Sequence, residues 1–237
     1  MTARLQHTSP QILARVAGLL YLTVIGAGIT AQLFISGRIV VGGDAAATAA
    51  NIVTQTALFQ LGFTVYLIEM SAQIAQTAVF YMLLRPVSCS VSLVALAFGL
   101  VGCTIKVFSR LFYIAPLLIL GEARYLAVFS GEQREALALL LLNVNDQAAG
   151  MALAVFGFST LLSGYLVLRS TFLPRFLGVW SIVGGLGWLT FLYPPLGNQL
   201  FPYLSVVGIL GSAAQILWLL IRGVNADRWH RRAAETA

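Results

Sequence analysis

Charged residues are scarce in this 237-residue chain: they make up 9% of it, whereas hydrophobic residues make up 59%. A soluble domain usually has about 25% charged residues. The mean hydropathy of +0.89 points the same way. So little charge and so many apolar side chains exclude an ordinary soluble protein and favour a chain that is largely embedded in a membrane.

Histidine and cysteine are also rare, which limits the available chemistry. The two histidines, His7 and His230, lie in the predicted tails, so no embedded histidine can bind a metal or act as a base. Cys89 and Cys103 are 14 residues apart, and about 21 Å along one helix is too far for a disulfide. Motifs of the H-E-x-x-H and G-x-S-x-G types are absent. We therefore predict no metal, no cofactor and no catalytic residue, and an intramembrane enzyme is the weakest functional interpretation.

The long apolar runs predict an all-α fold, a polytopic membrane helix bundle of about six transmembrane helices in a single integral-membrane domain, residues 1–237. The predicted spans are residues 12–34, 57–84, 91–120, 148–168, 174–193 and 202–221. Pro116 should kink the third span, because a proline removes the hydrogen bond to Phe112. Pro194 and Pro195 are expected to end the fifth span, and Pro202 to begin the sixth.

Two shorter amphipathic segments predict interfacial helices on the outer side. The first follows Asp44, a favourable N-cap residue before an alanine-rich stretch. The second begins near Ser130 and should end before a polar cluster, Asn143 to Gln147. Each precedes a span that ends in a tyrosine and, four residues on, an arginine (Tyr81 and Arg85; Tyr165 and Arg169), which suggests a parallel internal repeat. The alternative is that such residues simply recur at span ends.

The distribution of arginine predicts the orientation. One side carries nine: Arg4, Arg15, Arg85, Arg169, Arg175, Arg222, Arg228, Arg231 and Arg232. The other side carries three, Arg38, Arg124 and Arg134. By the positive-inside rule, both termini are cytoplasmic. The first apolar run is longer than the usual core of a secretory signal, so we expect it to be retained as a span. The net charge of +6 comes from these flanking residues and indicates no nucleic-acid partner.

The C-terminal segment from Arg222 to Arg232 is expected to contact anionic lipid headgroups, which makes the lipid bilayer the one partner that the charge pattern predicts. The oligomeric state is not predicted.

Charged residues inside the predicted spans are the main functional signal. Glu69 lies 15 residues from Leu84, and Lys106 lies 15 residues from Val91. Both are therefore about 22 Å from the inner boundary on consecutive antiparallel spans, which predicts an ion pair. Arg110 follows one helical turn further out. At the start of the fourth span, the polar cluster with Asp146 lies about 33 Å above Leu168, within reach of that arginine.

These residues form a candidate ligand-binding site among spans two to four, open to the outer side, and Gln73 and Gln76 share a helical face with Glu69 and complete its inner part. The predicted members are Glu69, Gln73, Gln76, Lys106, Arg110, Asn143 and Asp146. Embedded charges usually serve function, so the leading interpretation is a protein that binds or transports a small molecule or ion, an anion in the case of Arg110. The alternative is a structural or assembly subunit whose polar groups only hold the spans together.

Four stretches resemble a known family: Ala14-Arg-Val-Ala-Gly-Leu-Leu-Tyr21, Gly43-Asp-Ala-Ala-Ala-Thr-Ala-Ala-Asn-Ile52, Tyr81-Met-Leu-Leu-Arg-Pro-Val87 and Phe172-Leu-Pro-Arg-Phe-Leu-Gly-Val179. In this order the chain resembles the bacterial multi-pass membrane family labelled domain of unknown function 4386, over about Ile12 to Ile221. The resemblance implies a protein of the bacterial inner (plasma) membrane and no particular activity. Members often carry a histidine near the start of the fourth span, where this chain has Asn143 to Gln147.

Overall fold

The computed structural model describes residues 9–235, so Arg4 and His7 lie outside the described range. The regular elements in this range are all helical. In order they are α1 (Pro10–Ile29), a π-helical segment (Thr30–Ser36), α2 (Gly37–Ile39), α3 (Ala45–Thr54), α4 (Thr56–Leu84), α5 (Cys89–Ile114), α6 (Pro116–Ile119), a 3-10 turn (Arg124–Val128), α7 (Gly131–Arg169), α8 (Arg175–Leu189), a second 3-10 turn (Thr190–Leu192), α9 (Pro194–Ile221) and α10 (Ala226–Glu235).

Six helical segments in the described range are long and apolar enough to cross a membrane. They are Pro10–Ile39, Thr56–Leu84, Cys89–Ile119, Gly131–Arg169, Arg175–Leu192 and Pro194–Ile221. The prediction of an all-α polytopic membrane protein with six spans is therefore confirmed. The N-cap prediction is confirmed too, since the Asp44 carboxylate accepts a hydrogen bond from the backbone nitrogen of Ala47 at 2.9 Å where α3 begins.

The fourth span differs from the prediction. We expected a separate interfacial helix before the polar cluster at Asn143, but α7 runs without a break over 39 residues. Its start is fixed by a reciprocal cap: Ser130 Oγ accepts from the backbone nitrogen of Gln133, whose side chain accepts from the Ser130 nitrogen. Asparagine and aspartate lower helix propensity only slightly, and the cluster contains no proline to stop the helix.

The structure confirms the predicted effect of Pro116 but not the predicted effects of the prolines near the sixth span. Pro116 interrupts the third span as predicted, because α5 ends at Ile114 and α6 begins at the proline. The prediction for the sixth span is wrong: α9 begins at Pro194, and Pro202 lies inside it. At the first position of a helix the missing N–H of a proline costs nothing, since that donor has no intrahelical partner in any case.

The packing divides the chain into two compact units. Among the described residues, the first unit comprises residues 9–25, 72–103 and 150–235, and the second comprises residues 26–71 and 104–149.

The first unit is built around a buried apolar cluster that includes Leu83, Leu166 and Trp229. Trp229 belongs to α10, is completely buried, and donates a hydrogen bond from Nε1 to the carbonyl of Leu83 at 2.9 Å. The C-terminal helix is therefore docked on its own unit by its tryptophan. Contact with lipid headgroups stays a prediction for the arginines that remain exposed, Arg222 and Arg231 among them.

Within the first unit, α7 and α8 approach closely at glycines. A Cβ atom at Gly178 would lie 2.8 Å from the carbonyl oxygen of Gly164, and one at Gly185 would lie 2.8 Å from the backbone nitrogen of Leu161. Small residues of this kind let membrane helices pack backbone to backbone. Gly184 faces open space, with no heavy atom within 4 Å of a Cβ placed there.

The second unit has an aromatic core. Phe59 and Tyr113 stack with ring centroids 4.5 Å apart, and Tyr66 meets Tyr113 edge-on at 5.2 Å. Ile39 and Ile52 complete the buried cluster from α2 and α3. This core supports the charged residues of α4 and α5 that the sequence singled out.

Candidate functional site

Glu69 and Lys106 form an ion pair inside the second unit. The lysine Nζ lies 2.5 Å from Oε1 of the glutamate, and this confirms the pairing predicted from their equal depth. The Glu69 side chain is 5% exposed and the Lys106 side chain 18%, so the carboxylate is the more deeply buried partner. The second carboxylate oxygen, Oε2, is buried without a hydrogen-bond partner.

Gly28 of α1 makes room for this carboxylate. A Cβ atom at Gly28 would lie 3.3 Å from Oε1 of Glu69, closer than most real Cβ contacts. A larger side chain at this position would press on the carboxylate and its bond to Lys106.

Arg110 occupies the next turn of α5 and is only 4% exposed. Its Nη1 donates to Oδ1 of Asn145 at 3.0 Å, and its guanidinium carbon lies 3.7 Å from the centroid of the Tyr66 ring. Asn145 in turn donates from Nδ2 to Oδ1 of Asp146 at 2.9 Å. Among the described residues, no carboxylate oxygen lies within 4.0 Å of the guanidinium, and Nε is buried without a partner.

The Tyr66 ring is itself held in place from the π-helical segment. Its hydroxyl donates to Oε1 of Gln32 at 2.8 Å and lies 3.2 Å from Oγ of Ser36. Ser36 also donates to the hydroxyl of Tyr113 at 3.4 Å. The wider turns of a π-helix are frequent at functional sites, and here they present both polar side chains to the two tyrosines.

Asn145 is the residue of the polar cluster that reaches the arginine, whereas the predicted Asn143 is exposed. Because α7 is continuous, its buried positions recur at Ala138, Leu142 and Asn145, with the helical spacing of four and then three residues. The predicted Asp146 contacts Arg110 only through Asn145. The sequence alone does not select Asn145, because residues 136–142 are apolar on every face of the helix and only their burial in the structure gives the phase.

The family described as Domain of unknown function (DUF4386) matches residues 16–223 of the chain. The chain belongs to this family. The match begins six residues into α1 and ends just past α9, so it covers most of the first long segment and all of the other five. No curated protein and no solved structure matches the chain.

Gln73 and Gln76 of this DUF4386 protein belong to a different unit from the ion pair. They lie on the part of α4 that belongs to the first unit, where both line a cavity of about 110 Å³. The seven predicted site residues thus fall into separate groups: the ion pair, the Arg110–Asn145–Asp146 chain, the exposed Asn143 and the two cavity glutamines.

Lys106 and Arg110, in the second unit of this DUF4386 protein, differ in their partners. The Lys106 ammonium is neutralised by a carboxylate, but the buried guanidinium of Arg110 is bonded to a neutral amide and covered on one face by an aromatic ring. Among residues 9–235, no group of three or more histidine, cysteine, aspartate or glutamate side chains is arranged to hold a metal ion. Recognition of an anion by Arg110 is the chemistry that this arrangement favours.

Proposed function

We propose that this multi-pass membrane protein binds a small anionic molecule through Arg110, at a site that opens to the outer side of the membrane. The observation that carries the proposal is that Arg110 is 4% exposed while its hydrogen-bonding partner, Asn145, is neutral. Charged side chains within membrane-spanning segments are rare and are normally paired with an opposite charge or with backbone carbonyls. An anionic guest supplies the charge that Asn145 lacks.

The geometry of the guanidinium suits such a guest. Nη1 is used by Asn145, whereas Nε and Nη2 make no hydrogen bond to any described residue. That pair of nitrogens forms the side edge of the planar fork, which binds a carboxylate or a phosphate with two parallel hydrogen bonds. The ring of Tyr66 fixes the plane of the fork by lying 3.7 Å below it.

A structural or assembly subunit is the second candidate, and one observation favours it. Glu69 and Lys106 neutralise each other's charge, and Tyr66, Gln32 and Ser36 are hydrogen-bonded to one another inside the same unit. On this view Arg110 only ties α5 to α7 through Asn145 and binds no guest. The two candidates differ in whether an anion changes the stability of the purified protein.

The test uses the full chain in detergent micelles and matched pairs of probes: acetate with acetamide, and benzoate with benzamide. Each pair differs in charge but hardly in size. We expect the carboxylates to raise the unfolding temperature and the amides not to do so. Native mass spectrometry of the same preparation would identify an anion that copurifies.

Two variants make this test specific to the arginine. Arg110→Gln should abolish the response to the carboxylates, and Arg38→Gln, which removes an exposed arginine at the end of the first span, should preserve it. Equal responses in the parent and in Arg110→Gln would contradict the proposal, as would a parent that responds to neither carboxylate. If Arg110→Gln unfolds, Arg110→Lys keeps the charge without the fork and should weaken the response.

A receptor and a transporter would both bind the anion, but only a transporter would carry it across the membrane. Uptake of the identified anion into proteoliposomes therefore distinguishes the two. The proposed location is the bacterial inner membrane with both termini cytoplasmic. Its support is the excess of arginine on the side of Arg85, Arg169 and Arg175.

A further inference from the structure

The first unit contains a cavity of about 110 Å³ that the Arg110 site does not involve. Residues from all six long helical segments line it. The polar ones are Tyr21, Gln73, Gln76, Thr77, Tyr81, Ser92, Ser159, Thr160, Ser163, Ser181 and Gln215. No aspartate, glutamate, lysine, arginine or histidine is among the residues that line it. The wall is therefore uncharged, and its polar groups are set among the apolar side chains of Phe80, Leu84, Ala95, Leu96 and Phe156.

Four of the hydroxyl groups in this wall already donate their single proton to a backbone carbonyl. Thr77 donates to Gln73 at 2.8 Å, and Ser92 donates to Tyr81 at 3.2 Å. Ser159 and Ser181 donate to the carbonyls of Ala95 and Leu177, at 2.7 and 2.9 Å. A hydroxyl has one proton and two lone pairs, so these four oxygens can only accept hydrogen bonds from a molecule in the cavity.

Gln76 adds an unused acceptor. It is 6% exposed, and its Oε1 is buried without a hydrogen-bond partner. The side chains of Gln73 and Gln215, on α4 and α9, also make no hydrogen bond to any residue in the described range. A buried amide without a partner is unfavourable, because the hydrogen bonds it made to water are not replaced. Each glutamine offers an acceptor oxygen and an NH2 donor, whereas the four hydroxyl oxygens can only accept, so acceptors outnumber donors in the wall.

Ligands that donate hydrogen bonds can be charged or uncharged. Because the cavity wall carries no charge, it favours the uncharged ones. An ion bound against this wall would lose part of its hydration without meeting an opposite charge, which is unfavourable. An uncharged molecule with several O–H or N–H groups meets the acceptors without that penalty. A cavity of this size holds on the order of ten water-sized groups, which matches a five-carbon polyol.

We propose that this cavity is a binding site for a small uncharged molecule rich in hydrogen-bond donors, of the polyol class. It is independent of the proposed anion site. Ser163 lies six residues before Arg169, and Ser181 lies six residues after Arg175. The cavity thus lies near the arginine-rich end of the helices, which is the predicted cytoplasmic side.

Equilibrium binding of tritiated ribitol and tritiated glycerol to the purified full chain tests the proposal. We expect saturable binding of ribitol that unlabelled ribitol displaces. D-ribonate, which adds a carboxylate, and 1-amino-1-deoxyribitol, which adds an ammonium, should compete at least about tenfold less well, because each brings an uncompensated charge into the cavity. No saturable binding of either polyol, or better competition by a charged analogue, would overturn the proposal.

A matched pair of variants on α4 locates the site. Gln76→Leu removes the unpartnered amide and should weaken ribitol binding about tenfold, as expected for the loss of one hydrogen bond to the ligand. Gln60→Leu makes the same change at an exposed position of the same helix and should leave binding unchanged. Equal effects of the two substitutions would overturn the assignment.

Thr160→Val, which replaces a hydroxyl in the cavity wall by a methyl group, provides a second variant should Gln76→Leu fail to fold. It should also weaken the binding of ribitol, and unchanged binding would count against the cavity. Arg110→Gln should not affect ribitol, whereas it should abolish the response to benzoate. This difference separates a failure of one site from a failure of the other.

Discussion

Arg110 and Asn145 are joined by a hydrogen bond of 3.0 Å between two side chains that are each 4% exposed. The pair links α5 to α7 and combines a charged donor with a neutral acceptor. A carboxylate at position 145 would have formed a buried salt bridge with Arg110 and neutralised its charge. The amide instead orients the guanidinium and keeps the nearest carboxylate of this chain, Asp146, one hydrogen bond away. The proposed anion site depends on this lack of a carboxylate in direct contact.

Replacing Asn145 should destabilise the protein. Asn145→Leu removes the acceptor of a buried charged donor, and hydrogen bonds to charged groups contribute about 1.5–3 kcal/mol. Asn143→Leu, two residues away and exposed, is the control and should change stability by less than about 0.5 kcal/mol. Unfolding in detergent followed by circular dichroism measures both. If the two variants are equally stable, the hydrogen bond does not stabilise the fold.

The ion pair between Glu69 and Lys106 predicts an unequal response to single substitutions. Lys106→Met leaves the carboxylate unpaired where only 5% of its side chain is exposed, whereas Glu69→Gln leaves the ammonium, whose side chain is 18% exposed. Breaking a buried pair costs about 3–5 kcal/mol, and we expect the lysine substitution to lie nearer the upper figure.

The double variant of this pair removes both charges and should recover much of the stability lost in Lys106→Met. Thermal unfolding of the parent, the two single variants and the double variant in one detergent gives the comparison. A double variant no more stable than the worse single variant would show that the two charges do not stabilise each other.

Two adjacent glycines of α8 should differ in their tolerance of a methyl group. A Cβ atom at Gly185 would lie 2.8 Å from the backbone nitrogen of Leu161, so Gly185→Ala forces α7 and α8 apart. Overpacking of this kind costs about 1–3 kcal/mol. Gly184→Ala meets no atom within 4 Å and should be neutral or slightly stabilising. Equal unfolding temperatures for the two variants would contradict close packing of these helices.

The orientation is tested with reporter fusions. Fusions placed after Arg85 and after Arg175 should both report a cytoplasmic location, because the arginine-rich loops stay on the inner side. A fusion in the 3-10 turn at Arg124–Val128 should report the opposite side. A periplasmic signal after either Arg85 or Arg175 would reject the predicted topology.

The depth of a residue along its helix was predictable from the sequence. The direction in which its side chain faces around the helix axis was less predictable. Glu69 and Lys106 were paired correctly because the helical rise is fixed and both distances start from well-marked span ends. Asn145 was missed because the sequence does not show which face of α7 is buried. The residues before the cluster, 136–142, are apolar on every face, and a separate helix was expected there.

The separation of Gln73 and Gln76 from the ion pair could not be predicted from a single polar stripe. Residues along one face of α4 contact different neighbouring helices at successive turns. Which helix each residue contacts depends on the tertiary packing. The π-helical segment at Thr30–Ser36 was also unpredicted, because its residues have no pattern that distinguishes it from the α-helix before it. The prolines at the start of α9 show the same limit, since a proline pair begins a helix as readily as it ends one.

The length of α7 determines where its parts can stand relative to lipid. Its 39 residues extend about 58 Å, almost twice the hydrocarbon thickness of about 30 Å. Even at a tilt of about 40°, the steepest that spanning helices usually adopt, only about 26 residues fit inside the hydrocarbon. Counted back from Arg169, these residues end near Val144, so the first third of the helix lies beyond the hydrocarbon, where Leu142 packs into the aromatic core of the second unit. Asn145 and the Arg110 side chain bonded to it therefore lie near the edge of the hydrocarbon and not at its centre.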